Sequence, residues 1–344
     1  VTEQAWPPAA ATGIGSMPGT DSAEAAEIVL GELPDFPHLP ELPARGVGAD
    51  LIGRTSALLV DLAVEVVASG YRVATRPGRH HRRAVDLLRW DIDAFAEAAQ
   101  RSRPRLVKIQ LAGPWTLAAG VELARGHRVL TDHGATRDFT ESLVEGLGSH
   151  IAELAERTSA SVVVQFDEPT LPDVLAGSLP TPSGYGTVDS VPQPEARDLL
   201  ARVVSAAESM TGQPVIVHCC APRPPVGMLR SAGAGAISLD ATVLDGAPGT
   251  MLDELGEAWD AGTTLLLGLV PSQPPPARRD NLRELAGPAL RLVDRLGFGR
   301  AVLAERAVPT PACGLAGASQ QWLRRALSLT RDLGKAFVEP VEGW

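Results

Sequence analysis

The sequence predicts a single (β/α)8 TIM barrel with inserted loops, spanning residues 1–344 as one domain. Short, nearly continuous apolar runs alternate with longer amphipathic ones, as in parallel strands buried on both faces and crossed over by helices. Eight such runs can be placed along the chain, with helical patterns between most of them. A barrel needs roughly 250 residues, so about 90 of the 344 remain for insertions. No internal repeat and no linker divides the chain.

The predicted strands are TGIGS (12–16), HLPEL (38–42), LVKIQLAG (106–113), SVVVQF (161–166), PVIVHC (214–219), GAISLD (235–240), TLLLGLV (264–270) and AVLAE (301–305). Helical patterns cover 22–33, with Asp21 or Ser22 as cap, then 84–100, 195–210, 278–296 and 320–337. Pro288 marks a kink or a break in the fourth. Residues 43–104 read as two helical patterns between the second and third strands. The Pro- and Gly-rich stretch 169–194 follows a strand and is expected to be a mobile loop over the active face.

Composition narrows the function classes. Net charge is −10, from 31 basic and 41 acidic residues, which disfavours nucleic acid as a partner. Basic residues gather at Arg76, Arg79, His80, His81, Arg82 and Arg83, and read as a solvated loop and helix start. No apolar run approaches the roughly 20 residues of a membrane span, and the first residues lack the pattern of a signal peptide. Three cysteines make no disulfide framework, which fits a reducing cytoplasm.

Chemistry concentrates at the strand exits. In VIVHCC, alternation points His218 and Cys220 one way and Cys219 the other. His218 and Cys220 are a metal-ligand pair or two core residues. Cys313, in PTPACGLAG after the last strand, can meet them, because loops after barrel strands converge on one face. Zinc takes four tetrahedral ligands, or three and an exchangeable position. Asp240, ending GAISLD, is either the fourth or a helix cap. Asp167 and Glu168 leave the fourth strand, where buried acids must be paired or used. GIGSMPG offers backbone N–H groups to a carboxylate. Its glycine spacing and Pro18 do not fit a dinucleotide fingerprint. Adjacent Cys219 and Cys220 without a C-x-x-C do not suit a redox pair.

Taken in order, IGSMP, QFDEP, HCC, ISLD and PACGL resemble the C-terminal catalytic barrel of the cobalamin-independent methionine synthases, above all the short single-barrel members. That family is related in fold to uroporphyrinogen decarboxylases. The likeness runs from about Gly13 to the last helix. It implies a zinc ion held by His218, Cys220, Asp240 and Cys313, with no catalytic side chain beyond that site. It implies homocysteine bound by Ile14, Gly15, Ser16 and Asp167, and methylated to methionine. Zinc would keep the substrate sulfur deprotonated, whereas a free thiol near pKa 8.5 is mostly protonated at neutral pH. Asp240 stands where the family has Glu, and LVPSQP (269–274) where the long enzyme has a proton-donating histidine. The short members imply a methylated corrinoid on a partner protein as donor, rather than a folate. Two other readings are a catalytically silent zinc-binding protein and a metal-free, uroporphyrinogen decarboxylase-like enzyme.

Overall fold

The computed structural model describes residues 6–181, 184–275 and 281–339. Its strands are β1 (Ala63–Val67), β2 (Gly70–Ala74), β3 (Leu106–Ala112), β4 (Val121–Glu122), β5 (Ser161–Asp167), β6 (Ile216–His218), β7 (Ala236–Asp240), β8 (Thr264–Val270) and β9 (Ala307–Pro311). Six of them form a curled parallel sheet in the order β3-β5-β6-β7-β8-β9.

The register explains the sequence of these strands. Val107, Ile109, Val162, Val164, Val217, Ile237, Leu265 and Leu267 share one face and are buried in the main core beneath the helices. The opposite, concave face has two layers. Toward the strand starts it is apolar, with Leu106, Val163, Ile216, Ala236, Leu266 and Val308 in a separate cluster. Toward the strand ends it is polar, with Lys108, Gln110, Gln165, Asp167, His218 and Ser238. Trp6 belongs to the apolar layer, where it stacks on Phe36 at 5.1 Å and donates its indole N–H to Thr264 Oγ1 at 3.1 Å.

Eight strands are predicted for this sheet, and six form among the described residues. The first two expected strands make single parallel bridges, Ser16 with Glu41 and His38 with Lys108. Glycines at 13 and 15 and a proline at 40 favour bends over ladders there. Thr12 N–H still donates to Pro309 O at 3.4 Å, and Leu39 N–H to Lys108 O at 2.8 Å. The eighth expected strand, 301–305, is instead the helix Ala301–Arg306, with β9 following it. AVLAE is short enough to suit either state. Pro309 and Pro311 argue against a strand, yet β9 is the last in the order, where missing donors are tolerated.

Four expected helices are found as Ser22–Glu32, Arg79–Ser102, Gln193–Thr211 and Gln320–Val338. Asp21 caps the first by accepting from the N–H groups of Ala23 and Glu24. The fifth runs Leu282–Leu296 through Pro288 without a break, and its expected start at 278–280 lies outside the described residues. Residues 43–104 hold the helix Leu51–Ser56 and, unforeseen, the hairpin β1–β2, which β4 joins in parallel. The stretch 169–194 has structure of its own, the helix Leu171–Ala176 and a bridge from Pro180 to Thr187; residues 182–183 lie outside the described residues. No described helix is long and apolar enough to cross a membrane.

Candidate metal and substrate site

The chain leaves β6 and β9 at the same end of the sheet, and Cys220 and Cys313 each come two residues past their strand. Their sulfurs lie 3.2 Å apart. The donor atoms of His218, Cys220 and Cys313 all fall within 4.8 Å of one another. Gly268 lets this approach happen: a Cβ there would sit 2.7 Å from Ala312 Cα. Cys219 belongs elsewhere, as alternation predicts. It is fully buried in the main core, and burial pushes its thiol up to about 12.

His218 Nδ1 lies 3.0 Å from Ser238 Oγ, on the neighbouring strand. Its Nε2 is buried without a hydrogen-bond partner. An orphaned buried nitrogen is costly unless something else occupies it. The Cys313 thiol is pulled down, chiefly by its hydrogen bond with Cys220, with the imidazole of His218 adding to it; the Cys220 thiol is pushed up by the same bond and by burial. Two sulfurs and a lone imidazole nitrogen form a soft donor set that fits a metal ion.

Asp240 does not join this group. Its Oδ1 accepts from Thr242 N at 2.8 Å and Thr242 Oγ1 at 2.6 Å, capping the 3-10 helix Ala241–Gly246. Of the four expected ligands, the structure gathers His218, Cys220 and Cys313 and gives Asp240 the cap role.

A cavity of about 240 Å3 opens beside the cluster. Ile14, Ser16 and Asp167 line it with His218, Cys220 and Cys313. Ser16 is locked to the cysteine loop: Leu315 N–H donates to Ser16 O at 2.8 Å, and a Cβ on Gly314 would sit 2.0 Å from Ser16 Oγ. Gly15 does not line the cavity; its carbonyl accepts from Glu41 N–H at 3.2 Å. Glu168 turns away, holding the N–H groups of Trp115 and Thr116 at 2.9 and 2.8 Å, and so anchors the start of the helix Pro114–Gly120.

Sequence reasoning missed Glu41, which lines the same cavity. Burial pushes its carboxyl up to about 7 against the pull of Arg54, 3.7 Å away. Burial likewise pushes Asp167 up to about 6, opposed by His218, Lys108 and Gln165. Beneath them Lys108 is fully buried, and burial lowers its ammonium to about 7 against the pull of Asp167 and Glu41. Polar residues at inward positions of LVKIQLA and SVVVQFD were the signal for this floor, because alternation puts Lys108, Gln110, Gln165 and Asp167 on one face.

Residues 9–336 match the family described as cobalamin-independent synthase, catalytic domain. The chain belongs to this family. It is a methyltransferase of the methionine synthase type, as its motifs led one to expect. The family's independence of cobalamin overturns the expected methylated corrinoid donor on a partner protein. Among solved structures, the chain is similar to a B12-independent methionine synthase from Shewanella sp. W3-18-1 in complex with selenomethionine. The identity is 14%, covering 96% of this chain and 98% of that one, with a TM-score of 0.54. It is also similar to a methyltransferase from Methanosarcina mazei at 17% identity, 96% and 94% coverage and a TM-score of 0.55. At these identities the likeness speaks for the fold. No curated protein matches the chain.

Proposed function

We propose that this synthase-family chain is a zinc-dependent methyltransferase acting on a small amino thiol, homocysteine, to give methionine. One observation carries the reading. The cavity has a soft end, His218 with Cys220 and Cys313, and an acidic end, Asp167 with Glu41. A thiol at one end and an ammonium at the other is the ligand this polarity suits. The Shewanella relative, held in complex with selenomethionine, supports an amino acid of that kind. Closure of the sheet by the segments at 12–16 and 37–41, which bond to β9 and β3, would make it the eight-membered barrel of the family.

Bound by the three donors, zinc would act as a Lewis acid that holds a thiol sulfur deprotonated near neutral pH. The remaining work falls to the chain. Asp167 and Glu41 receive the ammonium group, and Ser16, fixed by the cysteine loop, meets the carboxylate. Ile14 and Leu51 give the middle of the cavity an apolar wall for the substrate's methylenes. The sulfur is thereby held at the cysteine end with its lone pair free to take a methyl group.

The test is metal content and thiol binding. Reduced protein dialysed against zinc should retain about one ion per chain. Cobalt-substituted protein should change its absorption spectrum when homocysteine is added. Protein that keeps no stoichiometric metal, or a spectrum indifferent to saturating homocysteine, would sink the reading.

A further inference from the structure

We infer that Lys108 and Gln165 are positioning residues that make the site select thiols bearing an amino-acid end over plain thiols. This rests on the amino-thiol reading above. Neither residue lines the cavity.

Lys108 is fully buried on the concave face of β3. Its ammonium bonds to Ile14 O at 2.9 Å, Gln110 Oε1 at 3.2 Å and Gln165 Oε1 at 2.7 Å. In the charged form that Asp167 and Glu41 favour, the Lys108 ammonium has three protons and accepts nothing. The oxygen end of each glutamine amide must therefore face it. That settles which way Gln165 points: its NH2 group donates to Asp167 Oδ1 at 2.7 Å and to Ile14 O at 2.9 Å. The flipped amide would set NH2 against ammonium and oxygen against carboxylate, two repulsive contacts in a low-dielectric interior. Gln110 is fixed in the same way and donates to Leu39 O at 2.5 Å.

The consequence reaches Asp167 and the loop that carries Ser16. Ile14 O takes two hydrogen bonds, which pins the loop that carries Ser16. Asp167 has Oδ1 held from behind, so its carboxylate meets the cavity in one orientation. Two of the three groups proposed for the amino-acid end, Asp167 and the Ser16 loop, are tied to one buried pair, whereas no hydrogen bond joins that pair to His218, Cys220 or Cys313. An uncharged side chain of similar length would fill the Lys108 space without desolvating a charge. What the charge adds is direction.

The experiment uses cobalt-substituted full-length protein titrated with homocysteine and, separately, with 1-propanethiol, which has the sulfur but no amino-acid end. Thiolate-to-cobalt absorption reports binding. Gln165→Glu keeps an acceptor toward Lys108 but places an oxygen against Asp167; Gln165→Leu serves as a second variant should the first fail to fold. The Kd for homocysteine should rise by about tenfold or more, the loss expected for a hydrogen bond to a charged group. The Kd for propanethiol and the cobalt content should stay within about twofold. If wild type prefers homocysteine and the variants keep that preference, or if both thiols weaken alike, the inference is overturned while the functional reading stands. If wild type binds neither thiol at the metal, the functional reading itself is overturned and this inference with it.

Discussion

At the β6 and β9 end of the cavity, His218 Nε2 has no hydrogen-bond partner and two sulfurs touch at 3.2 Å. At the β3 and β5 end, Lys108 directs all its protons at oxygens and Gln165 uses both ends of its amide. The difference separates two ways of preparing a site. Donor atoms meant for something from outside are left incompletely satisfied within the chain, at a cost in stability. Groups meant to orient a substrate are satisfied from behind, so that only their outward atoms remain free. Both ends grow from the same face of one sheet, and only the residue types at the inward positions differ.

The contrast can be broken or sharpened by substitution. The largest effect belongs to Cys220→Ser or Cys313→Ser. If the proposed zinc is bound, an affinity worth about 10–16 kcal/mol would be shared among few donors, so loss of one should weaken it on the order of a thousandfold in a chelator competition. Metal retained at wild-type affinity would show that the unsatisfied end is not a metal end. Next is Ser238→Ala, which removes the contact to His218 Nδ1 and frees the ring. Orienting partners of this kind are worth about 10–100-fold in metal affinity, and the lower figure is expected because a hydroxyl is a weak partner. The smallest is Asp240→Ala. As a cap it should cost about 1 kcal/mol in a denaturant titration with zinc content unchanged. A collapse in zinc content instead would move Asp240 from the cap to the metal.

Much of this was legible in the sequence because the buried strands are written plainly. β8 coincides with its apolar run at 264–270, and the adjacent cysteines separate by simple alternation. The failures have physical reasons. A five-residue run such as AVLAE carries too little period to tell helix from strand. The hairpin β1–β2 is built from AVEVV and GYRVA, half-buried strands that lie outside the main sheet and are joined by β4 from some fifty residues later. Asp240 sits at an inward register position, yet its carboxylate turns to Thr242, two residues on, a choice of rotamer that spacing does not encode. Glu41 looked like the end of an ordinary strand. Only the fold shows that its segment lies against Ser16 and brings a second carboxylate to the cavity.

The Trp6 seal at the far end of the sheet has a bearing on assembly. Its partner Thr264 lies 258 residues further along the chain. During synthesis Trp6 waits for nearly the last strand of the sheet. Until β8 exists, the apolar layer of Leu106, Val163, Ile216 and Ala236 has an open mouth with no Thr264 to hold the indole over it. Long-range closure of this kind is slow and leaves apolar surface uncovered in the nascent chain. The hydrogen bond that shuts the bottom of the fold therefore also dates it, since a polypeptide that has made this contact has already built most of what lies between.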